Sequence, residues 1–154
     1  PLSDGTIYDV FRTIDGKPGY TRSQNRGHTF DAPRYQCFAD GTEMKHPRAA
    51  NFVWKCKNGK YLYWFHNTNG EEWGGRNPAW LCGGVECDSE NGKTIKWSKP
   101  EIVLFSEDKK EGMSYPDLFE CDGNYYLAET QKTVTRLHKI PEEFLSGLWS
   151  EVDD

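Results

Sequence analysis

The chain has 154 residues, a mass of 17.8 kDa, a formal net charge of −5 and a pI near 5.4. That length suits one ordinary domain around a single core, and an acidic balance without a clustered basic surface excludes nucleic acid as the expected partner. No stretch approaches the roughly 18 consecutive apolar residues of a membrane span, so no membrane partner is expected either.

The apolar fraction is only 36 %, yet aromatic residues reach 14 %. That combination favours short aromatic-rich strands joined by polar turns over helices built on Leu and Ala, and predicts an all-β fold. The five cysteines, Cys37, Cys56, Cys82, Cys87 and Cys121, are odd in number and form no CxxC pair. They read as buried free thiols, with no metal site and no cofactor. The sequence opens on Pro1, with no charged and apolar leader pattern after it. A removed leader or an upstream segment is the expectation.

In chain order, three segments share one pattern: DGTIYDVFRT from Asp4, NGKYLYWFHN from Asn58 and DGNYYLAETQ from Asp122. Each begins with an Asp-Gly or Asn-Gly turn and runs into aromatic and β-branched residues, the strongest short-range hairpin signal. Gly5, Gly59 and Gly123 lie 54 and 64 residues apart, a period suited to four-stranded propeller blades with some long loops. Seven positions past each glycine stand Arg12, His66 and Thr130, with Glu129 one earlier. Equivalent inner strands of a propeller end around a common funnel, so these residues are candidates for one pocket; the competing reading is that strands merely meet solvent there.

Ser23 to Phe30, SQNRGHTF, reads as a tight turn in which the Asn25 amide bonds nearby backbone, glycine turns the chain and Phe30 tucks beneath as a plug. Asp88 to Trp97, DSENGKTIKW, looks like a looser copy of the same fastener. It lacks the carboxylates of an EF-hand calcium loop. Between these lie KHPRAANF, with His46 and Arg48, and GGRNPAWLCGG, with Arg76. SYPDL then places Tyr115 before Pro116, which predicts an extended tyrosine with a fixed aim. IPEEFLSGLW ends the pattern as a short helix near 141–149, with proline at its start, two glutamates in its first turn and Phe144, Leu145, Leu148 and Trp149 on its apolar side. Blades are expected near 1–35, 48–105 and 113–140.

The Asn-containing box turn, the repeated Asp-Gly hairpins and the order Arg12, Arg76, Tyr115 together resemble the sialidase-like superfamily, whose members carry Asp-box (BNR) repeats on a six-bladed β-propeller. The likeness spans nearly the whole chain and corresponds to the C-terminal half of such a propeller. It implies a retaining exo-glycosidase for terminal sialic acid or a related acidic sugar. In that scheme three arginines hold the sugar carboxylate, a tyrosine is the nucleophile, a glutamate activates it and an aspartate is the acid/base. Arg12 stands where the family has its second arginine and Arg76 where it has the third, while Tyr115 matches the nucleophile and Glu129 the acidic residue that steadies the first arginine. The aspartate, the first arginine and the activating glutamate belong upstream of Pro1 in the family's order. The resemblance therefore also implies a missing N-terminal half, or a second copy of the chain, and a carbohydrate as partner, with a secreted or periplasmic location favoured. His46, Arg48 and His66 are further candidate substrate-binding residues.

Two alternatives share this fold and pocket. One is a propeller hydrolase or polysaccharide lyase on a uronate-containing glycan, with Tyr115 working beside His46 or His66 as acid or base. The other is a non-catalytic carbohydrate-binding propeller in which Trp73, Trp80 and other aromatics stack on sugar faces.

Overall fold

A computed structural model describes residues 1–69 and 75–153. Eleven strands and one helix occur among the described residues, in three antiparallel sheets. The first sheet joins β1 (Ile7–Phe11), β2 (Gly19–Ser23) and β3 (Arg34–Tyr35) in that order. The second joins β4 (Phe52–Lys55), β5 (Tyr61–Phe65), β6 (Ala79–Ser89) and β7 (Gly92–Trp97), with β8 (Glu101–Leu104) also paired to β6. In the third, β10 (Asn124–Gln131) lies between β9 (Ser114–Cys121) and β11 (Val134–Ile140). The helix α1 covers Glu142–Ser150.

Strand β5, YLYWF, is buried at every position, because both faces of the second sheet are covered. Tyr61, Tyr63 and Phe65 point into one core with Leu2, Met44, Cys82 and Trp97, against which Tyr8 and Val10 of the first sheet pack. Leu62 and Trp64 point the other way, into a core with Leu127 and Ile140 of the third sheet and Leu145, Leu148 and Trp149 of α1. The second sheet is thus the middle layer. At Gly84 a Cβ would lie 2.4 Å from the Trp97 ring and 2.7 Å from Ile95, so the absent side chain is what lets the indole lie flat on β6.

The Asn58-Gly59 turn lies in the short loop joining β4 to β5, and Asp122-Gly123 forms a two-residue turn with Cys121 opposite Asn124. The Asp4-Gly5 turn leads into β1 with no strand before it. The helix starts at Pro141 with Glu142 and Glu143 in its first turn, and buries Leu145, Leu148 and Trp149.

Three local expectations are corrected. In the box turn the Thr29 N–H donates to Asn25 Oδ1 at 2.9 Å and Asn25 Nδ2 donates to Thr29 Oγ1 at 2.8 Å, but Phe30 keeps 47 % of its surface exposed. Its ring edge lies beside Gly27, where a Cβ would come 4.0 Å from Phe30 Cζ, and is not enclosed as a plug would be. Asp88–Trp97 is no second box: Ser89 pairs with Gly92 across a two-residue turn, and a φ of +77° at Gly92 closes a plain hairpin. Of the cysteines, only Cys56 and Cys82 are buried; Cys37 and Cys87 are half-buried and Cys121 is exposed, all as free thiols.

Candidate functional site

Six residues line one small, narrow cleft: Ala49, Ala50, His66, Arg76, Ser114 and Tyr115. They arrive from four places in the chain. Ala49 and Ala50 precede β4, His66 follows β5, Arg76 precedes β6, and Ser114 and Tyr115 open β9.

The backbone at Tyr115 is set by an irregularity in the third sheet. Asp117 pairs with Ala128 and Ser114 with Thr130, so Tyr115 and Pro116 together face the single residue Glu129. This is a β-bulge, which bends its strand and re-aims a side chain. Tyr115 takes φ +48° and leaves 65 % of its surface exposed. The extended conformation expected before proline is therefore not adopted. Proline disfavours the right-handed region for its predecessor, the bulge demands a bend, and the left-handed region supplies it at about 1–2 kcal/mol for a residue with a Cβ. Such an outlier points to function when the surroundings hold it in place.

Arg76 supplies part of that hold. Its carbonyl accepts the Met113 N–H at 2.8 Å, and its Nη1 reaches Ser114 Oγ at 3.4 Å. The guanidinium is half-buried beside Tyr115 on the cleft wall.

The histidines form the floor. His66 is buried and its ring stacks on that of His46, centroids 5.7 Å apart and planes within 7°. The His66 backbone N–H donates to His46 Nδ1 at 3.1 Å, so His46 carries its proton on Nε2 and donates it to the Ala49 carbonyl at 2.8 Å. His66 Nδ1 donates in turn to the Pro78 carbonyl at 3.0 Å. Burial pushes the pKa of His46 down to about 4, with further lowering from His66. Burial likewise takes His66 to about 4, and the Arg76 charge lowers it further. Both rings are neutral at pH 7. His46, fully buried with both nitrogens engaged, stands behind the cleft and offers no atom to a ligand. His66 lines it.

Glu129 is not the solvated strand-end carboxylate that its position allowed. It is buried and meets Arg136 of β11 through a two-point ion pair, Nε to Oε1 and Nη2 to Oε2, the latter at 3.2 Å. His138 Nε2 lies 3.3 Å from the same carboxylate. Burial raises the Glu129 pKa and His138 opposes that rise; the Arg136 fork favours the ionised form. Arg136 also pairs with Glu111, and its Nη2 donates to the Gly112 carbonyl at 3.4 Å.

Arg12 and Arg48 are exposed and do not line the cleft. Arg48 precedes Ala49, and the turn after Arg12 is tied to the site by the His46 N–H, which donates to the Gly16 carbonyl at 3.0 Å. Trp80 packs on the core between the first and second sheets rather than offering a sugar platform, and Trp73 lies outside the described residues. Arg136, His138, Glu111 and Ser114 escaped the sequence reading. A signal for Arg136 exists in ETQKTVTR: a tight turn at Lys132-Thr133 places it directly opposite Glu129. No group of three or more His, Cys, Asp or Glu could hold a metal among the described residues.

The fold is similar to that of the intramolecular trans-sialidase from Ruminococcus gnavus, solved in complex with oseltamivir carboxylate, with a TM-score of 0.67 at 15 % identity. The match covers 99 % of this chain and 32 % of that one, so the chain spans about a third of that protein's length. The three sheets and short helix match a sialidase-type fold. No protein-family model matches the chain, and no curated protein sequence does.

Proposed function

We propose that the chain supplies the C-terminal three blades of a six-bladed sialidase-type propeller, and that Tyr115 and Arg76 belong to a retaining exo-glycosidase site for terminal sialic acid or a related acidic sugar. The observation that carries this reading is the cleft in which a tyrosine on a strained bulge stands beside an arginine. The three sheets read as blades, and the remainder of the polypeptide, or a second copy, completes the ring.

The chemistry follows from the substrate's charge. A sugar with a carboxylate on its anomeric carbon repels an anionic nucleophile, so a neutral phenol that loses its proton as it attacks avoids much of that repulsion. The Tyr115 hydroxyl gives its proton to a carboxylate outside this chain as its oxygen bonds to the anomeric carbon, and the aglycone oxygen leaves with a proton from a second carboxyl group outside this chain; that group then takes a proton from water, which displaces the tyrosine with net retention while the first returns the phenol's proton. The planar fork of Arg76 suits the carboxylate, donating paired hydrogen bonds where a lysine would act as a point charge. Arg12 is exposed and next to the turn tied to His46, and serves as a second carboxylate ligand in this reading. Glu129 acts behind the site, away from the sugar.

His66 on the cleft floor favours one second reading. A neutral imidazole beside a tyrosine is suited to proton transfer during cleavage of a uronate-containing glycan.

Tyr115→Phe in the full-length polypeptide separates these. Because the phenol is 65 % exposed, losing its oxygen leaves the melting temperature unchanged. Turnover of an aryl sialoside is expected to fall on the order of a hundredfold or more. Parental turnover of the sialoside would remove the nucleophile assignment. A response confined to uronate substrates would replace the sialidase reading with the second, and sugar binding without turnover in the parent would leave a carbohydrate-binding propeller.

A further inference from the structure

We propose that Arg136 is the positioning residue for Tyr115: it clamps β10 to the segment entering β9 and thereby holds the bulge that carries the tyrosine. The assignment of a reaction to Tyr115 rests on the reading above; the clamp itself rests on geometry alone.

The bulge has little to hold it locally. Pro116 has no N–H to give to the ladder, Tyr115 sits in a backbone region that L-residues rarely adopt, and regular pairing resumes only at Asp117 on one side and Ser114 on the other. A residue held in such a region persists only where the surrounding structure over-determines it. Regular pairing from Asp117 to Cys121 fixes the C-terminal arm. The N-terminal arm, residues 111–114, makes one pairing with β10, at Ser114.

Arg136 supplies what is missing. Its guanidinium contacts three groups at once: the buried carboxylate of Glu129, which is the residue directly across from the bulge; the Glu111 carboxylate; and the Gly112 carbonyl. Glu111 and Gly112 lie four and three residues before Tyr115. Ser106 Oγ donates to Glu111 from the other side, extending the tie to the loop before β9. The same arm then presents Met113 and Ser114 to Arg76. One planar cation thus spaces the arm from β10 at the point where the ladder skips a residue, and passes that spacing to Tyr115. A planar fork with five donors can satisfy this three-way geometry; a lysine ammonium cannot reproduce it.

The test uses the full-length polypeptide and two readouts. In Arg136→Gln, amide hydrogen exchange over residues 111–118 is expected to speed up at least tenfold relative to the parent, while exchange in β5 is unchanged. Turnover of an aryl sialoside is expected to fall at least tenfold in kcat with KM altered less than threefold, because the tyrosine is misplaced and the sugar ligands remain. Arg136→Gln strands a buried carboxylate and could fail to fold, so Glu129→Gln/Arg136→Gln is measured alongside. The double variant removes that lone charge, and its melting temperature is expected to return towards the parent's. Its exchange at 111–118 should stay fast, since the link to Glu111 and Gly112 is still absent.

Parental exchange over 111–118 in a folded variant overturns the clamp. Recovery of both exchange and kcat in the double variant also overturns it, reducing Arg136 to a counter-ion for Glu129. If the parent shows no turnover of any sialoside or uronide, the reaction assignment fails, and the exchange measurements still decide the clamp.

Discussion

The stacked pair His46 and His66 makes acid stability a sharp measure of the buried floor. In the unfolded chain each imidazole titrates at its ordinary value of 6.5; in the fold burial holds each near 4. Between these values the unfolded chain binds protons that the folded one refuses, so stability rises with pH through that window and is lost as pH falls. Each ring is worth about 2 kcal/mol between pH 7 and pH 5, and about 3 kcal/mol by pH 4. The mechanism is specific at His46: a proton on Nδ1 would turn the acceptor of the His66 N–H into a donor facing a donor. Urea denaturation at pH 7, 6 and 5 should show the parent losing about 4 kcal/mol from the pair. His66→Gln keeps a donor for the Pro78 carbonyl and removes one titration, so its loss over the same interval should be smaller by about 2 kcal/mol. Equal slopes for parent and variant, or a parental loss under about 1 kcal/mol, would refute the assignment of neutral, proton-excluding rings.

Replacing Tyr115 by glycine removes the Cβ penalty at φ +48° and is expected to hold stability level or raise it by up to about 1 kcal/mol, while turnover disappears; a clear fall in melting temperature would mean that the ring is a packing residue. Gly84→Ala drives a methyl into the Trp97 ring and should cost about 1–3 kcal/mol, read by thermal denaturation, with tryptophan fluorescence reporting the displaced indole. A neutral outcome there would show that the middle layer is looser than its geometry implies.

The hairpins and the helix were legible because their signals are local. Asp122-Gly123 and Asn58-Gly59 carry their turn chemistry within two residues, and Leu145, Leu148 and Trp149 carry helical spacing within one turn and a half. The second box misled because Gly92 and Thr94 imitate a motif whose essential lock is a pair of hydrogen bonds from one amide to a threonine, and the sequence from Asp88 provides no such pair. The bulge at Tyr115 depends on how β9 and β10 are registered against each other, which a proline suggests and does not decide. The neutral histidines depend on what covers them: nothing in KHPRAANF or in YWFHN announces that two rings twenty positions apart will stack face to face. Arg12, Arg76 and Tyr115 could be singled out from the sequence only by their order in a family resemblance, since each alone is an ordinary residue for a strand end.

The core behind the middle sheet ties early residues to late ones. Trp149 donates its indole N–H to the Tyr61 carbonyl at 2.8 Å, across 88 positions of sequence, and Leu62 and Trp64 are sealed by Leu145 and Leu148. The opposite face of the same sheet is sealed by residues that come no later than Trp97. A ribosome releases the chain from its N-terminus, so the two sides of one sheet become buriable at different times. The first can close once Trp97 has emerged; the second lacks part of its cover on the nascent polypeptide until Phe144 to Trp149 follow.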